Sequence, residues 1–233
     1  QLIEDESIPR VCFYHLAYAG RGNALAAEDL TPDETRKTVD SIIDWTAACR
    51  DRGNPKEVLT VGNHADGPYL YLRILRENRP VAARVMELLR MNGGNSTGHG
   101  IGCVGWDGTV YPDQFWRSQP LGNLRQRAFS QIWTDLSNPL LASMRNKPLH
   151  VKGRCRTCQF LDVCGGNLRA RGHAATGDIW GADPACYLTN EEIRSSAKTD
   201  RRSTHVLSHR AGAESEVHQK EQLKNRVHPH AGD

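Results

Sequence analysis

Four cysteines crowd one stretch of this chain: Cys155, Cys158, Cys164 and Cys186. A Cys155-x-x-Cys158 turn lets two thiolates face one metal centre. Cys164 closes a third corner from the same loop, and Cys186 ties a distant return segment to it. Iron–sulfur clusters are held by thiolates in this way, and so are structural zinc sites. Gly165 and Gly166 follow Cys164 directly and let the backbone pass close to a bulky centre. Lys152, Arg154 and Arg156 favour thiolates and offset the negative charge of a cluster. The spacing alone leaves zinc and iron–sulfur open, with free structural thiols a distant third. Zinc ribbons usually show two C-x-x-C pairs, whereas a single pair stands here.

The bulk composition narrows the setting. The chain has 233 residues, 38% of them hydrophobic, and a formal net charge of +3. That length allows one large or two small domains with a real core. The near-neutral balance gives no reason to invoke nucleic acid or a membrane surface. No apolar run is long enough to span a bilayer. The segment from Gln1 to Arg10 is polar and acidic, unlike a secretory signal. With no initiator Met and a strand close behind, the sequence reads as a fragment or a processed product. Seven cysteines, an odd number, do not suit a small disulfide scaffold. Clustered thiols without an export signal point instead to metal binding in a reducing cytoplasm.

The elements that must position the cysteines follow from local signals. Val11 to Tyr18 reads as a buried strand, followed by a loop holding Gly20, Arg21 and Gly22. Thr31, Pro32 and Glu34 form a capping box that opens a helix running to about Arg52, where Gly53-Asn54-Pro55 stops it. Glu57 to Val61 reads as a second short strand, ending in the polar loop Gly62 to Gly67. Helices are expected near Pro68 to Glu77 and Pro80 to Met91. This order suggests parallel β/α units, in which function sits on loops at the C-terminal strand ends. Those loops carry Arg21 and His64. The run from Gly93 to Gly100 reads as a glycine-rich linker or loop. It is not a phosphate loop, because it lacks the Lys-Ser/Thr end and a following helix. A hairpin turning at Asp107-Gly108 follows. Short helices are expected at Ala128 to Asp135, Pro139 to Asn146 and Thr189 to Ser195. Beyond Ala197 the chain is too polar to offset the entropy of ordering and reads as a disordered tail. Its histidines, His205, His209, His218, His228 and His230, read as solvated groups.

With these motifs placed, a family resemblance emerges. Its first part is the run from Gly102 to Pro112, with Cys103, Trp106, Asp107 and Gly108. Leu121-Gly122-Asn123-Leu124 and Ile132-Trp133 continue it. The stretch from Cys155 to Asn167 and Asp183-Pro184-Ala185-Cys186 complete it. Together they resemble the SPASM-type auxiliary-cluster domain of radical SAM enzymes. The segment from Cys12 to Asn23, and Tyr111-Pro112-Asp113-Gln114-Phe115-Trp116, narrow the likeness to the radical SAM proteins of haem d1 biosynthesis. The resemblance covers about Val11 to Glu192. It implies an α/β fold: residues 1–92 as C-terminal β/α units of a partial radical SAM barrel, residues 93–197 as a small, loop-rich α+β SPASM-type domain, and residues 198–233 as the tail.

The resemblance also implies chemistry. Cys155, Cys158, Cys164 and Cys186 match the ligands of one auxiliary 4Fe–4S cluster. Asp113 and Leu168 stand where the family has further cysteines, so a second auxiliary cluster is not expected, and Cys103 reads as a leftover core thiol. The SAM-cleaving C-x3-C-x2-C motif is absent from this sequence. SAM and the catalytic 4Fe–4S cluster are therefore expected elsewhere in a full-length enzyme, and this chain is not expected to act alone. The implied substrate is a tetrapyrrole, didecarboxysirohaem, whose propionate side chains would lose hydrogen to a SAM-derived radical. An electron-donor protein is the implied partner, with no nucleic acid and no membrane. A substrate rich in carboxylates needs cations, and Arg21, Arg117, Arg169 and Arg171 are the candidates, each set against the commoner state of a solvated surface Arg. His64 and His99 sit in loops and could touch iron or substrate, although a lone loop His more often does neither. Trp106, Trp116 and Trp133 read as core residues. The alternatives are a related radical SAM/SPASM enzyme, either a haem-pathway decarboxylase or a peptide maturase, or a non-catalytic module stapled by zinc.

Overall fold

Two parallel strands and their helices open the chain. The computed structural model describes residues 2–194, so the tail expected at 198–233 and its histidines lie outside the described residues. After a short helix α1 (Leu2–Asp5), strand β1 (Arg10–Tyr14) pairs in parallel with β2 (Glu57–Val61), Arg10 opposite Glu57 and Tyr14 opposite Val61. Between them runs α2 (Pro32–Asp51). Its start is the expected capping box: the Thr31 N–H donates to Glu34 at 2.9 Å, and the Glu34 N–H donates back to Thr31 Oγ1 at 3.3 Å. Strand β1 is shorter than expected. The His15 N–H still reaches Val61 O at 2.9 Å, and then the chain turns away. The loop carrying Arg21 is a 3-10 helix over Gly20–Glu28. Helices α3 (Asp66–Arg76) and α4 (Ala82–Asn92) follow β2.

The second half is built from short pieces. Strands β3 (Cys103–Val104), β4 (Thr109–Tyr111) and β5 (Gly122–Asn123) form an antiparallel sheet in the order β3-β4-β5. Helices α5 (Phe129–Trp133) and α6 (Pro139–Met144) cover it, packing Ile132 and Leu141 on Val110. Then come α7 (Leu161–Cys164), α8 (Arg169–Thr176) and α9 (Asn190–Ile193), the last capped by Thr189 as expected. The fold is α/β.

The two halves share a core. Val39, Ala65 and Tyr69 from the β/α units pack with Phe160, Val163, Tyr187, Leu188 and Ile193, and residues 1–194 make one compact unit. The glycine-rich run is not a free linker. Asn95 and Thr97 are buried, and the Asn95 N–H donates to Cys164 O at 3.1 Å. A Cβ on Gly94 would lie 2.4 Å from the Cys164 carbonyl carbon, so only glycine lets this segment dock there. Of the three tryptophans read as core, Trp116 is buried, whereas Trp106 is 91% exposed. It sits beside the Asp107-Gly108 turn, where no neighbouring layer covers it. Trp133 is half-buried and stacks on Phe129.

Candidate metal centre

Each cysteine is placed by a local turn. Cys155 ends a 3-10 turn over Gly153–Cys155. The Cys158 N–H donates to Cys155 O at 3.2 Å, closing the C-x-x-C bend. Cys164 is the last residue of α7, and Gly165 and Gly166 continue it at φ +65° and +80°. Cys186 ends a turn in which its N–H donates to Asp183 O at 3.2 Å.

The four sulfurs share one buried locale. Burial pushes all four thiols up, Cys186 to about 11, and the charge of Cys155 acts on each of the other three. Left as free thiols they would stay protonated, and a bound metal cation is what would ionise them. A backbone N–H faces each sulfur: Asp183 for Cys155, Phe160 for Cys158, Asn167 for Cys164 and Leu188 for Cys186. The Phe160 N–H reaches Cys158 Sγ at 3.5 Å. Such amides stabilise thiolates rather than thiols. Among the described residues no three Cys, His, Asp or Glu side chains converge as ligands of one ion. Four buried thiols, each faced by a backbone amide, are a donor set that fits a thiolate-held iron–sulfur cluster.

Two of the arginines expected to meet substrate lie inside the protein. Arg169 and Arg171 are each 0% exposed. Arg171 forks onto Asp183, Nε to Oδ1 at 2.8 Å and Nη2 to Oδ2 at 2.9 Å, and its Nη1 donates to Leu16 O at 2.8 Å. Arg169 donates to the carbonyls of Gly181, Ile179 and Gly166. Their donors are spent on the protein, and neither offers a surface to a substrate carboxylate. The expectation for these two is corrected. Arg21 and Arg117 are exposed.

The loops after β1 and β2 clamp the cysteine loops. Asn63 Nδ2 donates to Ala185 O at 2.8 Å, and Asn167 Nδ2 donates to Asn63 Oδ1 at 2.8 Å. Asn167 Oδ1 in turn accepts the His64 N–H at 2.7 Å. Tyr187, beside Cys186, donates to Asp66 Oδ1 at 2.7 Å, and His15 Nε2 stands 2.9 Å from Asp66 Oδ2. These contacts hold the cysteines at the C-terminal ends of β1 and β2. A cavity of about 220 Å³ opens there, lined by His64, Asn63, Ser96, Thr97, Gln114 and Phe115 among others. Burial, and then the charge of Lys147, lower the pKa of His64 and favour its neutral imidazole. His99 lies 3.4 Å from Lys147 Nζ, away from the cysteines' own hydrogen bonds.

The positions where the resemblance implies further cysteines are filled differently. Asp113 is buried, accepting from Thr97 Oγ1 at 2.6 Å and from the Phe115 N–H at 2.7 Å. Leu168 packs in the core around Trp116 and Val151. Cys103 on β3 is half-buried. The contribution of Gly94, Asn95, Asn63 and Asn167 to holding the cysteines was not expected from sequence. The positive φ of Asn167, +61°, is the kind of position an Asn after two glycines can signal.

The sequence is similar to known proteins. Residues 101–159 match the SPASM iron-sulfur cluster-binding domain. The chain is 56% identical over 195 residues to the Fe-coproporphyrin III synthase of Methanosarcina barkeri, covering 82% of this chain and 49% of that protein. It is 39% identical over 204 residues to the pre-heme d1 synthase of Dinoroseobacter shibae, covering 86% of this chain and 50% of that protein. A solved structure of tagged anSMEcpe with bound AdoMet aligns with 82% of this chain and 46% of that chain, at 15% identity and a TM-score of 0.49. The chain thus spans about half the length of the curated relatives it matches.

Proposed function

The chain belongs to the SPASM-containing radical SAM proteins of haem biosynthesis, and from that premise we propose that it is the auxiliary-cluster half of an enzyme that modifies a tetrapyrrole. Cys155, Cys158, Cys164 and Cys186 hold one 4Fe–4S cluster. The observation that carries this reading is the amide facing each of the four sulfurs. When bound, the cluster supplies one-electron transfer, its potential set by hydrogen bonds and burial. With four thiolates it has no open position, so substrate is met by protein groups.

Those groups lie at the strand ends. A cavity of about 220 Å³ is too small for a whole macrocycle and suits one peripheral side chain. His64, its neutral imidazole favoured, and the exposed Gln114 amide offer it polar contacts. Arg21 and Arg117, both exposed, are the cations left to meet carboxylates of the same substrate. The filling of positions 113 and 168 by a hydrogen-bonded Asp and a core Leu supports a single auxiliary cluster. SAM and the catalytic cluster belong to the part of the enzyme that carries the C-x3-C-x2-C motif, and an electron-donor protein supplies reducing equivalents. No helix of the described residues is long and apolar enough to cross a membrane, and cysteines clustered for metal binding suit a reducing cytoplasm.

Two substrate readings stand. Hydrogen abstraction from the propionates of didecarboxysirohaem follows from the likeness to the haem d1 enzymes. The 56% identity to a protein named for Fe-coproporphyrin III favours the sibling reaction that yields that product. The test is to incubate the full-length enzyme anaerobically with SAM, a reductant and didecarboxysirohaem, and to weigh the product. Fe-coproporphyrin III selects the sibling reaction, pre-haem d1 selects propionate chemistry, and unchanged substrate rejects both. Iron and sulfide analysis of this chain should give about four of each, and stoichiometric zinc would leave only a structural module.

A further inference from the structure

A fully buried arginine cation needs an anion, and Arg169 has none among the described side chains. It cannot shed its proton, and an isolated buried charge costs several kcal/mol or more. The one fully buried carboxylate beside it, Asp183, is taken in a fork by Arg171. Arg169 makes no ion pair with any described residue, and its partners are three neutral carbonyls. Its Nε–H, also buried, has no acceptor. A buried donor left unmet calls for an unseen partner.

The surroundings say what that partner is. The groups whose charge favours the Arg169 cation are Cys155, Asp183 and Cys164. A Cβ on Gly166 would lie 3.5 Å from Arg169 Nε and 2.9 Å from Val151 Cγ1, so glycine keeps this side of the guanidinium open beside the Cys164 turn. Arg154 repeats the pattern. It donates to the carbonyls of Cys186 and Leu188, its Nε is also unmet, and its charge acts on Cys155, Cys158 and Cys186.

We propose that Arg169 is the buried counter-cation of the thiolate-bound cluster and donates its Nε–H to it, with Arg154 as a second, more exposed donor. The inference rests on the cluster reading above. A positive charge and an N–H at a cluster stabilise its reduced, more negative state. Arg169 therefore raises the reduction potential and acts as a positioning and tuning residue.

The experiment is an EPR-monitored redox titration of the iron-loaded chain, as wild type, R169K and R169M. R169M should be harder to reduce by about tenfold, about 59 mV for one electron, and R169K, which keeps the charge, should shift less. A second measurement needs no folded R169M. In wild type labelled with 15N-arginine, the reduced cluster should show an arginine nitrogen coupling by pulsed EPR, weakened in R169K. An unchanged potential in R169M, or a coupling that is absent in wild type or equal in R169K, overturns the proposal. Failure of the wild type to bind iron and sulfide would instead remove the cluster reading itself.

Discussion

Asn167 and His64 meet across 103 positions of sequence, the carboxamide Oδ1 of one accepting the backbone N–H of the other at 2.7 Å. Asn167 follows the Cys164-Gly165-Gly166 turn, and His64 follows β2. The bond therefore joins the loop that shapes the third cysteine to the end of a strand, where a β/α enzyme does its work. Asn167 is only 1% exposed and holds φ +61°, and its amide also binds Asn63 at 2.8 Å.

Asn167→Ala should cost about 2–4 kcal/mol, because two buried hydrogen bonds are lost and the left-handed backbone stays strained. Asn167→Gly loses the same bonds but tolerates the φ, and should recover about 1 kcal/mol of that. Urea midpoints of the loaded chain check this. Equal losses in the two variants would show that the backbone term is negligible.

Arg171 and Asp183 form a pair with no exposed side-chain area. Removing one partner strands a buried charge. Arg171→Met should therefore destabilise by about 3–5 kcal/mol. Replacing both, as Arg171→Met with Asp183→Leu, still forfeits the acceptors for the N–H groups of Leu168 and Ala185, at 3.0 Å each. The double variant should thus stay below wild type, and a double-mutant cycle by urea denaturation measures the coupling.

Lys147 gives the chain a pH signature. Burial, foremost, and then Arg169 lower its pKa from 10.5 to about 7, while Asp113 opposes them. His99 stands beside it, its own pKa lowered by burial and by Lys147. The folded pKa lies below the unfolded one, so between pH about 7 and 10.5 the unfolded chain binds more protons. Stability contributed by this group therefore rises with pH across that window and is flat below it. Lys147→Met should remove this slope. The check is the difference between wild-type and variant urea stabilities from pH about 7 to 9.5, inside that window.

What was legible in the sequence was local. The Thr31 and Thr189 boxes, the parallel strand at Glu57–Val61 and the four cysteines announce themselves within a few residues. What was not legible depends on distant partners. Arg169 and Arg171 sit in α8, whose first residues, Arg-Ala-Arg-Gly, are the buried ones. No periodicity argument buries arginine, and only the carbonyls of distant loops and Asp183 make it possible. Gly93 to Gly100 looked like a linker because its burial comes from Cys164 and from Lys147, which donates to Asn95 and Thr97. Trp106 looked like core by type, but it lies beyond the edge of a three-stranded sheet with nothing above it.

Cys158→Ser tests whether the proposed centre is structural as well as redox-active. Cys158 packs against the core that unites Val39 and Tyr69 with Phe160 and Tyr187. Loss of one ligand should therefore unfasten both halves of that core, since binding a centre at a site absent from the unfolded chain is folding free energy. The variant should lose most of its iron and its visible absorption, and its melting temperature should fall by several degrees or more at this domain size. A serine variant that kept its iron would place the fourth ligand elsewhere. One that lost its iron but kept its melting temperature would show that the Asn63–Asn167 and Arg171–Asp183 contacts alone hold the loops, leaving the metal a purely redox role.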